Sequence, residues 1–340
     1  MAAGFLPSKP ALRLNTTTTT MALGNHLKQL LVGAGLGVMI CLMVMALAPA
    51  TASAAAVPGA PTEATTTIDL EAQPRLNPSI QAIRESGYLR IGLGYPDNLP
   101  LYGHDKDGNP IGYDVDLAKG IASALKVKPV FSQPKVSYTR LVQLASADQI
   151  DLAIGKLSVT IPRLGYAQPV PYLNLHQSLL INRRVLDAIS QDMANIGPKL
   201  RATPIRVGVI RGSSYSVWGS TTLPKARFTT YPDWLSCIEA LTNGEVDAVF
   251  RDSFETARLV KSKPSLALDY VPIILKDKVD NIAMYVGPRM EGLMPTANLY
   301  VTITTGVLDE ADLFRRFRQE MKQAPIALNK LAKPKSRSSD

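Results

Sequence analysis

Leu141-Val142-Gln143-Leu144-Ala145-Ser146-Ala147-Asp148-Gln149-Ile150-Asp151-Leu152-Ala153-Ile154 and Cys237-Ile238-Glu239-Ala240-Leu241-Thr242-Asn243-Gly244-Glu245-Val246-Asp247-Ala248-Val249-Phe250 follow one plan. Each reads as a helix, a tight polar turn and a short apolar run. A continuous apolar run between turn signals is the mark of a strand buried on both faces. The turns end alike, in Ile150-Asp151 and Val246-Asp247. A strand of the same kind precedes each unit: Leu89–Leu93 before the first and Ile205–Ile210 before the second. Strands alternating with helices in two successive blocks predict two α/β halves. A cleft between two such halves is a favoured place for a ligand.

Working outward, ordered structure is expected from about Ser79, with a helix over Ile80–Ser86. A hairpin turning at Asp105–Asn109 follows, then a helix from Asp114 to Leu125 with apolar Val115, Leu117, Ile121 and Leu125. Val127–Phe131 reads as a strand whose weak point is Pro129. Late in the chain, Asn281–Val286 reads as a strand and Asp309–Met321 as a helix. Asp105-Lys106-Asp107-Gly108-Asn109 looks like the start of a calcium loop, but its twelfth position is Asp116 where a Glu is needed, so it reads as a turn. Asp114 and Asp116 form an acidic pair at a helix start, where the helix dipole favours them without any catalytic role.

With 340 residues, 46% hydrophobic and 19% charged, the chain is neither a disordered tail protein nor a coiled coil. Its net charge of +9 is concentrated at the ends. Residues 1–56 carry +3 and the tail from Lys322 carries +4, leaving +2 for the body, too little to argue for a nucleic-acid-binding face. Cys41 and Cys237 make no disulfide framework, and Cys237 reads as a small buried hydrophobe. His26, His104 and His176 are too scattered for a zinc site or a nucleophile–His pair, so neither metal nor cofactor is expected.

Lys28 precedes an uncharged apolar run, Leu30–Ala48, which ends at Pro49 and the small residues Ala50–Ala56. A basic flank, an apolar core and an A-x-A site describe a secretory signal peptide over residues 1–56, cleaved near Ala52–Ala56. An uncleaved membrane anchor is the alternative, since the run is nearly long enough to span a bilayer. Residues 57–78 read as a Pro/Thr/Ala-rich linker, and 322–340 as a disordered basic tail. The expected product is an exported soluble protein of the periplasm.

The chain resembles the extracellular solute-binding proteins of family 3, receptors of polar amino-acid ABC transporters. Four segments carry the likeness, in family order: Gly112-Tyr113-Asp114-Val115-Asp116-Leu117-Ala118, Ser158-Val159-Thr160-Ile161-Pro162-Arg163, Val207-Gly208-Val209-Ile210-Arg211-Gly212-Ser213-Ser214 and Gly244-Glu245-Val246-Asp247-Ala248-Val249-Phe250-Arg251-Asp252. The resemblance implies a type II periplasmic-binding fold, α/β with two lobes joined by two crossover strands. Lobe 1 would comprise residues 79–182 plus 280–321, and lobe 2 residues 183–279. It also implies capture of an amino acid in the inter-lobe cleft and its delivery to a membrane permease, by a monomer with no nucleic-acid partner and no enzymatic activity.

Arg163 falls on the family's carboxylate-binding Arg, and a guanidinium fork suits a carboxylate. Its bland alternative is a surface Arg. Ser158 sits at a position that helps hold the same ligand. Ser213 and Ser214 open a helix whose N-terminal amides suit a carboxylate, or form an ordinary cap. Asp252 falls on the ammonium-binding Asp, with a helix cap for the run Ser253–Leu259 as the alternative. Tyr138 falls where an aromatic ring covers the ligand. Three residues depart from the family: Asn98 in place of an aromatic wall, Lys156 in place of a small residue, and Arg251 as an added cation beside Asp252. With Asp252 as the one acid assignable to the cleft, Lys156 and Arg251 either leave surplus positive charge, which points to an acidic or strongly polar amino acid, or extend into solvent as long cationic side chains commonly do. The competing functions are an exported enzyme on the same fold, of prephenate or arogenate dehydratase type, and a ligand-sensing module without transport.

Overall fold

The computed structural model describes residues 73–318. The expected signal peptide, most of the linker and the basic tail lie outside the described residues. Ten strands are present among the described residues: β1 (Tyr88–Leu93), β2 (Gly103–His104), β3 (Pro110–Ile111), β4 (Lys128–Ser132), β5 (Leu152–Ser158), β6 (Gln168–Asn182), β7 (Arg206–Ile210), β8 (Arg227–Tyr231), β9 (Ala248–Asp252) and β10 (Tyr270–Val286). Eight of them form one sheet in the order β4-β1-β5-β10-β6-β9-β7-β8. The strands β4, β1 and β5 are parallel, as are β9, β7 and β8. Between these parallel wings run β6 and β10, paired antiparallel along nearly their whole length. They carry the chain from one half to the other and back.

Each wing is covered on both faces, as parallel strands require. In the first, Leu89, Ile91, Leu152 and Ile154 pack with Val115, Leu117 and Ile121 of the helix Tyr113–Ala124. Its other face holds Leu141, Val142 and Ala145 of the helix Tyr138–Ser146 against Ala153 and Leu157. In the second wing, Val207, Val209 and Phe250 pack on one side, and Cys237, Ile238, Leu241 and Val249 on the other. Cys237 is fully buried, and burial pushes its thiol up to about 12, so it serves as a small hydrophobe.

The repeated Ile-Asp and Val-Asp dipeptides have a common physical task. Asp151 Oδ2 accepts the Arg90 backbone N–H at 2.8 Å, and Asp151 Oδ1 takes the Arg90 guanidinium at 2.6 Å. Asp247 does the same for Arg206, at 2.8 Å and 2.6 Å. Each Asp ties the entry of its strand to the neighbouring parallel strand. Pro129 is tolerated because β4 is an edge strand, paired to β1 alone. The Asp105–Asn109 segment is the expected turn: Asp105 Oδ1 accepts the N–H groups of both Asp107 and Asn109.

The strand expected at Asn281–Val286 begins earlier, at Tyr270, and two elements near the C-terminal end also differ from the sequence expectation. The helix Leu293–Thr304 was not foreseen; Pro295 stands in its first turn, where the missing N–H costs no intrahelical bond, and exposed Leu299 and Ile303 blur its periodicity. The C-terminal helix is shorter than expected, Glu310–Arg316, opened by Asp309 and Asp312 in a capping box.

Candidate functional site

The site is built where the first wing's inner strand departs from regularity. Along β5, Leu157 lies opposite Ala283 and Ala153 opposite Tyr285, so Ile154, Gly155 and Lys156 face Met284 alone. This is a bulge, a device that re-aims a side chain. Gly155 has φ 148° and Lys156 φ 53°. A Cβ on Gly155 would come within 2.3 Å of the Gly94 nitrogen, so glycine is obligatory there. The left-handed conformation of Lys156 costs about 1–2 kcal/mol. It is held by its own N–H, which donates to Asp114 Oδ2 at 3.0 Å and Tyr172 Oη at 3.2 Å. Asp114 and Asp116 both stand in the first turn of the helix Tyr113–Ala124, as expected, and Asp114 has a further task. Asp116 is exposed at the helix start, but Asp114 is fully buried, and its task is to brace the bulge. Burial pushes its carboxyl up to about 7.

The bulge sends the Lys156 ammonium across the cleft. It lies 2.8 Å from Asp252 Oδ2 and 2.7 Å from Glu255 Oε1. Arg258 donates to Glu255 Oε2 at 2.7 Å and also to the Leu99 carbonyl, and Asn98 donates to Glu255 Oε1 at 2.9 Å. Arg251 lies with its guanidinium 5.3 Å from the Trp234 ring and its Nε 3.7 Å from Asp252 Oδ2. Burial opposes ionisation of Glu255, yet Arg258, Lys156 and Arg251 together hold it well below the usual carboxylate range.

Eight of the nine residues expected at the site line one cleft: Tyr138, Lys156, Ser158, Arg163, Ser213, Ser214, Arg251 and Asp252. Asn98 is the exception; it is buried and bound to Glu255. The cleft also has three walls that the sequence reading lacked, Tyr215, Asp280 and Ile282. Two premises therefore change. Asp252 is not the one acid of the cleft, since Asp280 lines it too, and Glu255 holds Lys156 from beside it. Nor is Lys156 a surplus cation, because it sits between two carboxylates. The charge argument for an acidic ligand therefore keeps only Arg251. The capping alternative for Asp252 is observed: its Oδ1 accepts the Glu255 N–H at 2.9 Å and opens the helix Ser253–Ser262. The same holds for Ser213, which caps the helix Ser214–Thr222.

Arg163 is not a surface residue. It lies in the short helix Ile161–Leu164, is only 2% exposed, and donates through Nη1 to the Ser158 carbonyl at 2.8 Å. Its desolvation pulls its pKa down, with Tyr285 and Asp280 acting in the opposite direction. Asp280, on β10, is 1% exposed. Its Oδ2 accepts from Tyr215 Oη at 2.5 Å and from Ser158 Oγ at 3.2 Å, whereas Oδ1 has no hydrogen-bond partner among the described residues. Burial raises its carboxyl to about 6. Ser158 Oγ also meets Ser214 Oγ at 2.8 Å, joining the two sides of the cleft. Asp280 and Glu255 carry no motif of their own in the sequence: Asp280 follows the charged residues Lys276, Asp277 and Lys278, and Glu255 stands in the first turn of a helix.

Residues 89–195 match the family described as bacterial extracellular solute-binding proteins, family 3. Over that stretch the chain is similar to that family. Among curated proteins it is 24% identical over 190 residues to the cyclohexadienyl dehydratase of Pseudomonas aeruginosa, covering 55% of this chain and 67% of that protein. It is 24% identical over 208 residues to the histidine-binding periplasmic protein of Salmonella typhimurium, covering 60% and 76%. Among solved structures it superposes on the amino acid ABC transporter substrate-binding protein AbpA of Streptococcus pneumoniae bound to L-arginine, with TM-score 0.58, 22% identity, and coverage of 72% of this chain and 100% of the other. An ancestral amino acid-binding protein described as a precursor of cyclohexadienyl dehydratase matches with TM-score 0.55 and 21% identity over 70% and 98%. The fold is thus the expected type II periplasmic-binding fold, two α/β lobes joined by two crossing strands. No described helix is long and apolar enough to cross a membrane.

Proposed function

We propose that this protein is an exported receptor that captures a small amino acid in the inter-lobe cleft and presents it to the permease of an ABC transporter. One observation carries the reading: a guanidinium, that of Arg163, is buried at the cleft wall with donors beyond those its protein partners use. A buried cationic fork of this kind is a carboxylate receptor. Ser158, on the first side, and Ser213 and Ser214, on the second, complete the carboxylate's surroundings, with Tyr138 and Arg251 beside them. A ligand bonded to both sides favours the closed arrangement. In this reading the receptor acts as a periplasmic monomer after loss of residues 1–56, with lobes at 79–182 plus 280–321 and at 183–279. Titration calorimetry with the twenty L-amino acids tests it. Saturable heat with at least one, lost in Arg163→Ala, supports it; no binding by any of them overturns it.

A second reading is supported by the dehydratase relative and by Asp280, a cleft carboxyl raised to about 6, a value suited to proton transfer near neutral pH. It is an exported dehydratase acting on a cyclohexadienyl acid of prephenate or arogenate type. Incubation with both acids decides it: aromatic product, abolished in Asp280→Asn, is required.

A further inference from the structure

We infer that Asp280, and not Asp252, receives the ligand's ammonium, because Lys156 already supplies Asp252 with a cation from within the protein. The inference rests on the amino-acid reading of the same cleft and names the group that recognises the amine.

The two carboxylates differ in what surrounds them. Asp252 Oδ1 accepts the Glu255 N–H at 2.9 Å. Its Oδ2 has the Lys156 ammonium at 2.8 Å and the Arg251 Nε at 3.7 Å. That Oδ2, like Asp280 Oδ1, accepts no hydrogen bond among the described residues, but its charge is compensated by the ion pair with Lys156. A ligand ammonium reaching Asp252 would have to displace Lys156, whose side chain is 5% exposed and cannot retreat to water. The displaced ammonium would keep only Glu255, which already serves Arg258 and Asn98. Stranding a buried cation in this way is strongly unfavourable. Asp280 presents the opposite case. It makes no ion pair among the described residues, and its Oδ1, at the cleft wall, has no donor. A buried carboxylate oxygen without a partner calls for one, and an ammonium supplies both the hydrogen bond and the charge.

Position agrees with charge. Arg163 and Asp280 flank one residue, Ser158: the guanidinium holds its carbonyl at 2.8 Å, and the carboxylate accepts from its hydroxyl at 3.2 Å. An α-amino acid carries its carboxylate and ammonium on a single carbon. A cation and an anion that meet on the backbone and side chain of one residue provide neighbouring receptors of the two required signs. Lys156 and Arg258 are used on Asp252 and Glu255, and the third cation, Arg251, lies over the Trp234 ring beside Asp252. That leaves Arg163 and Asp280 as a neutral pair for a neutral zwitterion.

The test uses calorimetry with the L-amino acid that binds the wild type most tightly and with the carboxylic acid that lacks its α-amine. Asp280→Asn should weaken the amino acid by about 10- to 100-fold, the worth of a buried charge-assisted hydrogen bond, and the des-amino acid by far less. Asp252→Asn should affect both ligands alike. Selective loss in Asp252→Asn with wild-type behaviour in Asp280→Asn overturns the inference while leaving the amino-acid reading intact. A wild type that binds no amino acid overturns both. If Asp280→Asn does not fold, the pH dependence of the wild type decides. Lys156 and Ser158 on β5, Arg163, Tyr215 and Asp252 are the groups around Asp280. Of these and Asp114 behind the bulge, Asp280 alone meets the amine and titrates near 6. Amino-acid affinity should fall below about pH 6 relative to that of the des-amino acid; parallel profiles overturn the inference.

Discussion

The helix–turn–strand unit ending in β5 and its counterpart ending in β9 start identically and finish differently. Both enter the sheet through an Asp locked to an Arg of the adjacent strand. Beyond that anchor β9 runs straight and hands Asp252 to the next helix as its cap. By contrast, β5 breaks its ladder at Gly155 and Lys156 and throws a cation across the cleft. The entry of each strand is scaffold and is repeated. The exit is chemistry and has diverged, and the two exits are complementary, an ammonium on one side meeting two carboxylates on the other. That chemistry gathers at the carboxyl ends of the strands agrees with the general habit of open α/β sheets.

The largest effect should come from removing the cation that the bulge exists to aim. Lys156→Met leaves Asp252 and Glu255 buried without it and should cost about 3–5 kcal/mol of stability, measured by denaturant unfolding. Adding Glu255→Gln to it should recover part of the loss, and a lone Lys156→Met of wild-type stability would show that the two exits are not coupled. Next comes ligand affinity. Arg163→Ala should lose about 2–5 kcal/mol of binding, read by calorimetry on protein whose thermal melt confirms folding.

The pH dependence of stability follows from Asp280 and Asp114, whose carboxyls are pushed up to about 6 and about 7 from an ordinary 3.8. Between those values the folded state holds protons that the unfolded chain has released. Their contribution is therefore most favourable below about pH 4 and declines as pH rises to about 7. Asp280→Asn removes that burden and should stabilise the neutral-pH protein by about 1–3 kcal/mol while weakening the ligand. A melting temperature unchanged or lowered at pH 7 would count against it. The smallest effect compares the two anchors. Asp151 is 4% exposed in its side chain and Asp247 17%, so Asp151→Asn should cost more, about 1–2 kcal/mol, against less than about 1 kcal/mol for the better-solvated Asp247→Asn.

Much of this molecule is legible along the chain. Alternation of apolar runs with helical periodicity marks both α/β halves, because burial on two faces imposes a local pattern. Asp252 and Ser213 could be read as helix caps, since a cap bonds an amide only a few residues away. The short motifs placed Arg163 and Ser158 in the cleft. Tertiary structure alone decided the partners: Lys156 with Glu255 across 99 positions, its own amide with Asp114 across 42, and Ser158 with Asp280 across 122. Nothing in a local pattern tells a buried acid from a solvated one, and so the sequence singles out no role for Asp280 and Lys156 reads as a surplus charge. Whether a charge is matched depends on which distant segments the two crossing strands bring together, and electrostatic energy responds to that distance and burial, not to separation along the chain.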